Sequence, residues 1–316
     1  MRVLITGAAG YIGQQLLNQL AIQHPQWTRI AADIRPPSRA GLKLNIEPVL
    51  LDISNSAAVA SCVATWQPQA IVHLASVVTP PPGMSEEQLH AIDVGGTQSL
   101  IQAAAAHGVE QLIVTSSGAA YGYDPQNAEW LDEDQPLRGH AQFAYAKHKR
   151  EVEVLLAEAR TQHPHLKQLV LRPGTILGKQ VNNQITELFK KPSVLGIRGS
   201  DSRFVFIWDQ DVVDIICRGL RQQSAGIFNL AGDGALSLKE IAELLGKPYR
   251  PLPAWLIRAA LRVLKPLGLS PYGPEQVDFL RYRPVLSNRR LKQNFGFSPR
   301  YSSREAFLAF LRAQGI

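Results

Sequence analysis

Only two of the 316 residues are cysteine, Cys62 and Cys217. Both fall in segments that read as helix, so a disulfide-stapled fold is excluded and a reducing, cytoplasmic setting is expected. Long hydrophobic runs are missing as well. No apolar stretch is long enough to cross a bilayer, and no signal peptide is expected ahead of the first strand. There is no internal repeat, and low-complexity sequence is confined to Pro80-Pro81-Pro82-Gly83. Basic residues do not interleave with aromatic ones, so nucleic-acid binding is not expected despite a net charge of +7. That charge suits anionic substrates or surfaces, and plain solubility explains it equally well. No metal site is expected. A chain of this length has room for one large α/β domain and a smaller lobe.

What is present begins at residue 2. Arg2-Val3-Leu4-Ile5 is a short apolar run ending in Thr6-Gly7, which reads as a buried parallel strand. Gly7, Gly10 and Gly13 follow at three-residue spacing, and Ile12 to Leu20 carries helical apolar periodicity. Strand, glycine-rich turn and helix in this order form the setting of a dinucleotide fingerprint. Glycine permits the tight turn and lets backbone N–H groups approach a pyrophosphate at the positive end of the helix. The next apolar strand, Arg29-Ile30-Ala31-Ala32, ends at Asp33, twenty positions after Gly13. A carboxylate there accepts both hydroxyls of an adenosine ribose and repels a 2′-phosphate. NAD is therefore expected rather than NADP, with Arg35 close enough to soften the choice.

A second motif lies much further on. Tyr145 and Lys149, spaced Y-A-K-H-K, fall on a predicted helix, where i and i+4 share a face. Oxidising a secondary alcohol requires removal of the O–H proton while hydride leaves carbon. A free tyrosine, with a pKa of about 10, is a poor base at neutral pH. A nearby lysine ammonium and a positive nicotinamide ring both favour the phenolate. In the reverse direction the Tyr145 phenol donates the proton to a carbonyl.

The GxxGxxG turn and the Tyr-Lys pair together resemble the extended short-chain dehydrogenases/reductases, the NAD-dependent epimerase/dehydratase family. The resemblance implies a doubly wound parallel Rossmann sheet with a smaller, discontinuous C-terminal substrate lobe. Residues 1–174, with 205–233 returning to them, would bind NAD; 175–204 and 234–316 would form the lobe. It adds Ser117, four residues before Tyr121-Gly122, as the hydroxyl that fixes the substrate oxygen, and gives Lys149 the nicotinamide ribose. It places the cofactor against Gly7, Gly10, Tyr11, Ile12, Gly13 and Asp33, with Asp52 and the Ile53 backbone at the adenine. Leu74, Ala75 and Ser76 would run beneath the pyrophosphate and ribose, and Pro173 would close over the nicotinamide. Val78, Thr79, Ser117, Gly118 and Thr175 would face a small-molecule substrate. His73, inside a buried apolar run, reads as structural. Asp93 stands where the family usually has Asn, and Trp208 where it commonly has His. The helices around Gly96–His107 and Ala144–Ala159 would pair across a homodimer.

Departures from the family bear on the substrate. Gly118-Ala119 replaces the acidic pair of dehydratases, which argues against elimination of water. Thr175 replaces an Asn usual in nucleotide-sugar epimerases. Phe204 occupies the position of their pyrophosphate-binding Arg, and Arg203, one residue off, would face the opposite side of an extended segment. Pro253-Ala254-Trp255-Leu256-Ile257 opens an amphipathic helix with Arg258, Arg262 and Lys265, broken by Pro266, Gly268 and Pro271. It resembles lobes of hydroxysteroid-dehydrogenase-like and dihydroflavonol-reductase-like relatives. A helix packing one face on the lobe is favoured there over a substrate lid or membrane-surface contact. Ser302 or Ser303 reads as a helix cap. The expected activity is an NAD-dependent oxidoreductase of a less polar secondary alcohol or ketone. A sugar or nucleotide-sugar epimerase is the alternative. An NAD-sensing regulator is a third reading, disfavoured because such proteins generally lose the Tyr or Lys retained here.

Overall fold

A computed structural model describes residues 1–36, 45–270 and 273–316. The chain opens with β1 (Arg2–Thr6), α1 (Tyr11–Gln23), β2 (Thr28–Asp33) and β3 (Ile46–Leu50). α2 (Ser56–Trp66), β4 (Ala70–His73), α3 (Glu86–His90), α4 (Gly96–Ala106) and β5 (Gln111–Thr115) follow. α5 (Ala144–Gln162) leads to β6 (Lys167–Pro173) and β7 (Thr175–Leu177). Then come α6 (Gln184–Lys190), β8 (Val194–Ile197), β9 (Arg203–Phe204) and β10 (Phe206–Trp208). α7 (Asp209–Gln222), β11 (Gly226–Leu230), β12 (Leu236–Ser237) and α8 (Leu238–Leu244) follow. β13 (Tyr249–Leu252), α9 (Ala254–Leu264), α10 (Gln276–Arg281) and α11 (Ser303–Gln314) end it.

Two compact units divide the chain. The first gathers residues 1–117, 148–172 and 209–228; the second gathers 118–147, 173–208 and 229–316. The main sheet has the order β3-β2-β1-β4-β5-β6-β11, and the pairs from β3 to β6 are parallel. It is a doubly wound α/β sheet of the Rossmann type, as expected. Strands β1, β2 and β4 are short β-branched and aliphatic runs, buried on both faces as a parallel sheet requires. Strand order reverses between β1 and β4, and ligands of such sheets bind beyond the carboxyl ends at that switch point.

Several buried or half-buried polar groups in the first unit tie its elements together. Arg29, fully buried on β2, donates through Nη1 to the Leu20 and His24 carbonyls and so closes the C-terminal end of α1. Tyr11 Oη donates to Asp209 Oδ2 at 2.5 Å and Gln15 Nε2 to the same oxygen at 3.0 Å, which ties α1 to α7. Glu153 on α5 accepts from Ser116 Oγ at 2.6 Å and from Arg172 Nε at 2.8 Å. Cys62 and Cys217 are buried free thiols, pushed up by burial to about 11 and about 12.

The second unit has an aromatic core. Phe189, Phe206, Phe307 and Phe310 pack around one another, and Trp208 meets Tyr301 edge-on at 5.5 Å. Ser302 caps α11 in a capping box with Glu305, whereas the buried Ser303 hydroxyl donates to the Gly234 carbonyl. Among the described residues no helix is long and apolar enough to cross a membrane.

Glu153 carries the sharpest stability prediction. Arg172 is 3% exposed, so Glu153→Ala strands a buried guanidinium without its carboxylate. We expect a loss of about 3–5 kcal/mol, read as a lower urea midpoint at unchanged m-value. A variant of wild-type stability would mean that Arg172 finds another acceptor.

Candidate functional site

The glycine turn is a cradle in the literal steric sense. Gly7 has φ +71°, and a Cβ there would lie 2.6 Å from the Ala75 nitrogen. A Cβ on Gly13 would lie 2.3 Å from the Gly7 carbonyl oxygen. Side chains are thus excluded where β1 runs into α1 and where the end of β4 passes beside it. α1 starts at Gly10 with no side-chain cap and no acidic residue in its first turn. Its amino end therefore presents N–H groups and positive dipole with nothing anionic of its own.

Asp33, at the end of β2, accepts from the Ala9 nitrogen through Oδ2 and from the Arg35 nitrogen through Oδ1, each at 3.0 Å. The carboxylate is thereby fixed beside the glycine turn, half-buried. Asp52 is exposed and accepts from the Ser54 nitrogen and hydroxyl. The Ile53 side chain is buried against Gly96. Ser76, beyond β4, holds a buried Oγ with no hydrogen-bond partner among the described residues. Val78 is 53% exposed and Thr79 is also exposed. A side-chain-free turn, an uncapped helix end, a pinned carboxylate and an orphaned hydroxyl fit a dinucleotide at the switch point. The Tyr11 phenol, by contrast, is committed to Asp209.

His73 is held by both ring nitrogens. Nδ1 lies 2.7 Å from Thr6 Oγ1 and Nε2 lies 3.0 Å from Thr97 Oγ1. The Thr97 hydroxyl gives its proton to the Asp93 carbonyl at 2.6 Å, so Nε2 must be the imidazole donor and Nδ1 the acceptor. Burial, and then the charge of Lys149, lower its pKa to about 3. It is a neutral strut.

Lys149 is 5% exposed, and its ammonium donates to the Thr115 carbonyl at 3.2 Å. Burial lowers its pKa, while Asp93 and Glu153 raise it. Ser116 is consumed by Glu153, and the next residue, Ser117, is only half-buried. Tyr145 stands one turn before Lys149 on α5 and is half-buried. Asp93, in place of the usual Asn, accepts from the Val77 nitrogen and lies 3.6 Å from His148 Nδ1, both side chains buried.

In the second unit Gly118 packs against Leu286, which a Cβ would meet at 2.9 Å. Pro173 ends β6, and Thr175 Oγ1 is 3.5 Å from Arg283 Nη2. Arg203 is turned outward to Asp201 and Glu129, and Phe204 inward to the core. Sequence reading had not singled out Arg283. Its guanidinium lies over the rings of Phe204 and Phe279, at 4.1 and 4.6 Å. Nη1 is buried with no hydrogen-bond partner among the described residues. Tyr123 meets Phe279 at a tilt, ring centroids 4.8 Å apart; burial raises its phenol, the Arg283 charge lowers it and Tyr145 raises it. Arg283 also lines a cleft of about 290 Å³ with Asp124, Asn127, Glu129, Arg203 and Arg281. The Tyr282-Arg283-Pro284 stretch has no periodicity, and only packing reveals its aromatic cage.

A model of the NAD dependent epimerase/dehydratase family matches residues 3–231. An uncharacterized protein of Mycobacterium tuberculosis is 26% identical over 318 residues, covering 99% of this chain and 84% of that one. The dTDP-L-rhamnose 4-epimerase of Burkholderia thailandensis is 29% identical over 160 residues, 46% of this chain and 43% of that one. The structure of a Thermus thermophilus UDP-glucose 4-epimerase complex with NAD has a TM-score of 0.73 at 22% identity, over 99% and 98% of the two chains. A short-chain dehydrogenase/reductase superfamily protein from Agrobacterium tumefaciens with bound NAD reaches 0.75 at 21%, over 100% and 97%. These two share the fold.

His73 makes the first unit sensitive to acid. Folded, it stays neutral down to about 3; unfolding restores 6.5. Between those values the unfolded chain binds a proton that the folded chain refuses, so acidification through this window favours unfolding. Urea midpoints should fall from neutral pH to mildly acidic pH, and less steeply in His73→Gln. Equal slopes would show that another group titrates.

Proposed function

We propose, starting from the fact that the chain belongs to the NAD dependent epimerase/dehydratase family, that it moves hydride between NAD and a secondary alcohol or ketone. The carrying observation is Lys149: a buried ammonium one helical turn from Tyr145, which favours the phenolate. Gly7, Gly10, Gly13 and the amino end of α1 hold the pyrophosphate, with Asp33 at the adenosine ribose. Asp52 and Ile53 flank the adenine, and Leu74, Ala75, Ser76 and Pro173 line the remainder. When bound, NAD accepts the hydride and, once reduced, donates it. Tyr145 takes the hydroxyl proton during oxidation and returns it during reduction. Lys149 lowers the energy of the phenolate and hydrogen-bonds the nicotinamide ribose. Ser117 donates to the substrate oxygen and sets it within reach of Tyr145. Val78, Thr79, Gly118 and Thr175 border the substrate, and the active form is a homodimer.

Two chemistries share this step. A dehydrogenase exchanges its cofactor at every turnover. An epimerase oxidises a carbinol carbon, then reduces its opposite face, with the same proton leaving and re-entering through Tyr145. Arg283 favours the second. A caged guanidinium with a spare donor, within electrostatic reach of Tyr123, suits a phosphate or carboxylate on the substrate better than an apolar ring. UDP-glucose, bound by solved relatives of this fold, has such a group.

Three measurements test this reading. Tyr145→Phe should lower kcat by roughly 10²–10⁴-fold with NAD affinity unchanged; full activity in that variant ends the mechanism. Denaturing purified protein should release near-stoichiometric NAD if the cofactor is regenerated in place, and little if it exchanges. Arg283→Ala should raise KM for a UDP-sugar with kcat kept; an unaltered KM would restore the apolar substrate.

A further inference from the structure

α9 uses only one side for the fold. Ile257 is buried against Ile197 and Val277, with Ala254 and Leu261 partly buried beside it. At about 100° per residue, Trp255, Leu256, Ala259, Ala260 and Val263 form a separate apolar face roughly 140° wide. Trp255 is 70% exposed and Val263 59%, and Leu267 and Leu269 extend the same character at 64% and 72%. Among the described residues, six of the fourteen exposed large hydrophobics lie between Leu252 and Leu269. Such density is a patch, not the single apolar residues scattered over any surface.

Charge completes the pattern. From Leu244 to Pro274 the sequence holds Lys247, Arg250, Arg258, Arg262 and Lys265 and no Asp or Glu. Arg258, Arg262 and Lys265 run along one margin of the apolar face, beside Trp255. Arg258 and Lys265 reach Asp278 and Glu275 at 2.6 and 3.3 Å, and Arg262 is exposed. The local excess stays positive, as does the whole chain at +7.

We propose that this face of α9 and the turn after it docks on an anionic phospholipid surface, lying along the interface and not crossing it. Apolar side chains enter the acyl boundary, Trp255 sits at headgroup depth and the basic margin meets lipid phosphates. A second copy of this chain fits less well. A twofold contact sets the face against an identical one, which carries the same surplus of cations and no surplus of carboxylates to neutralise it.

The test uses sedimentation of the full-length protein with phosphatidylcholine vesicles, with or without phosphatidylglycerol. Anionic vesicles should carry down roughly tenfold more protein, and added salt should reverse this. Trp255 emission should shift to the blue on binding, a change absent in Trp255→Phe. Val263→Glu with Leu267→Glu, both at exposed positions, should lose at least about tenfold of the binding with melting temperature and NAD affinity unaltered. Failure of the wild type to sediment, or undiminished binding by the double variant, would overturn the proposal. So would loss in that variant of self-association seen without lipid, which would give the face to a second copy.

Discussion

The close approach of two backbone segments at the switch point governs the first unit. The Gly7 α-carbon lies where a methyl group would strike the Ala75 nitrogen, and Gly13 where one would strike the Gly7 carbonyl. β1 and β4 are hydrogen-bonded neighbours, with Thr6 paired to His73, so the turn after one strand and the tail of the other meet without side chains between them. That contact leaves the amino end of α1 uncapped and points it at the same place as Asp33. What remains there is a stretch of bare backbone beside an uncapped helix end, a shape that fits a dinucleotide.

Around this constraint the unit spends its buried polar groups on rigidity. Thr6, His73, Thr97 and the Asp93 carbonyl form one directional chain of hydrogen bonds, so the imidazole has a single tautomer. Glu153 joins Ser116 and Arg172 one turn beyond Lys149 and adds negative potential at that ammonium. The lysine is therefore buried yet electrostatically supported. Desolvation acts against its charge, and two carboxylates act for it.

The second unit handles charge differently. Among the described residues Arg283 pairs with no carboxylate; aromatic faces of Phe204 and Phe279 hold it, and its Nη1 has no hydrogen-bond partner there. Phe204, buried in the core, lends its ring face to seat the Arg283 guanidinium.

The sequence alone determined the strand–turn–helix start, the carboxylate ending β2 and the spacing of Tyr145 and Lys149. Each is a local or periodic signal: glycine where no Cβ fits, aliphatic runs for buried strands, i and i+4 on one helix. It also marked His73 as structural from its apolar run, and the family match bore out the class of enzyme. Trp208 was only an anomaly until its contact with Tyr301 placed it in the aromatic core. Tertiary structure alone decided which buried polar groups found partners. Asp93 beside His148, Tyr11 on Asp209 and Arg283 between two phenylalanines join residues from distant elements, and no pattern along the chain encodes such meetings. Periodicity reports which face of an element is buried; only packing decides what that face is buried against.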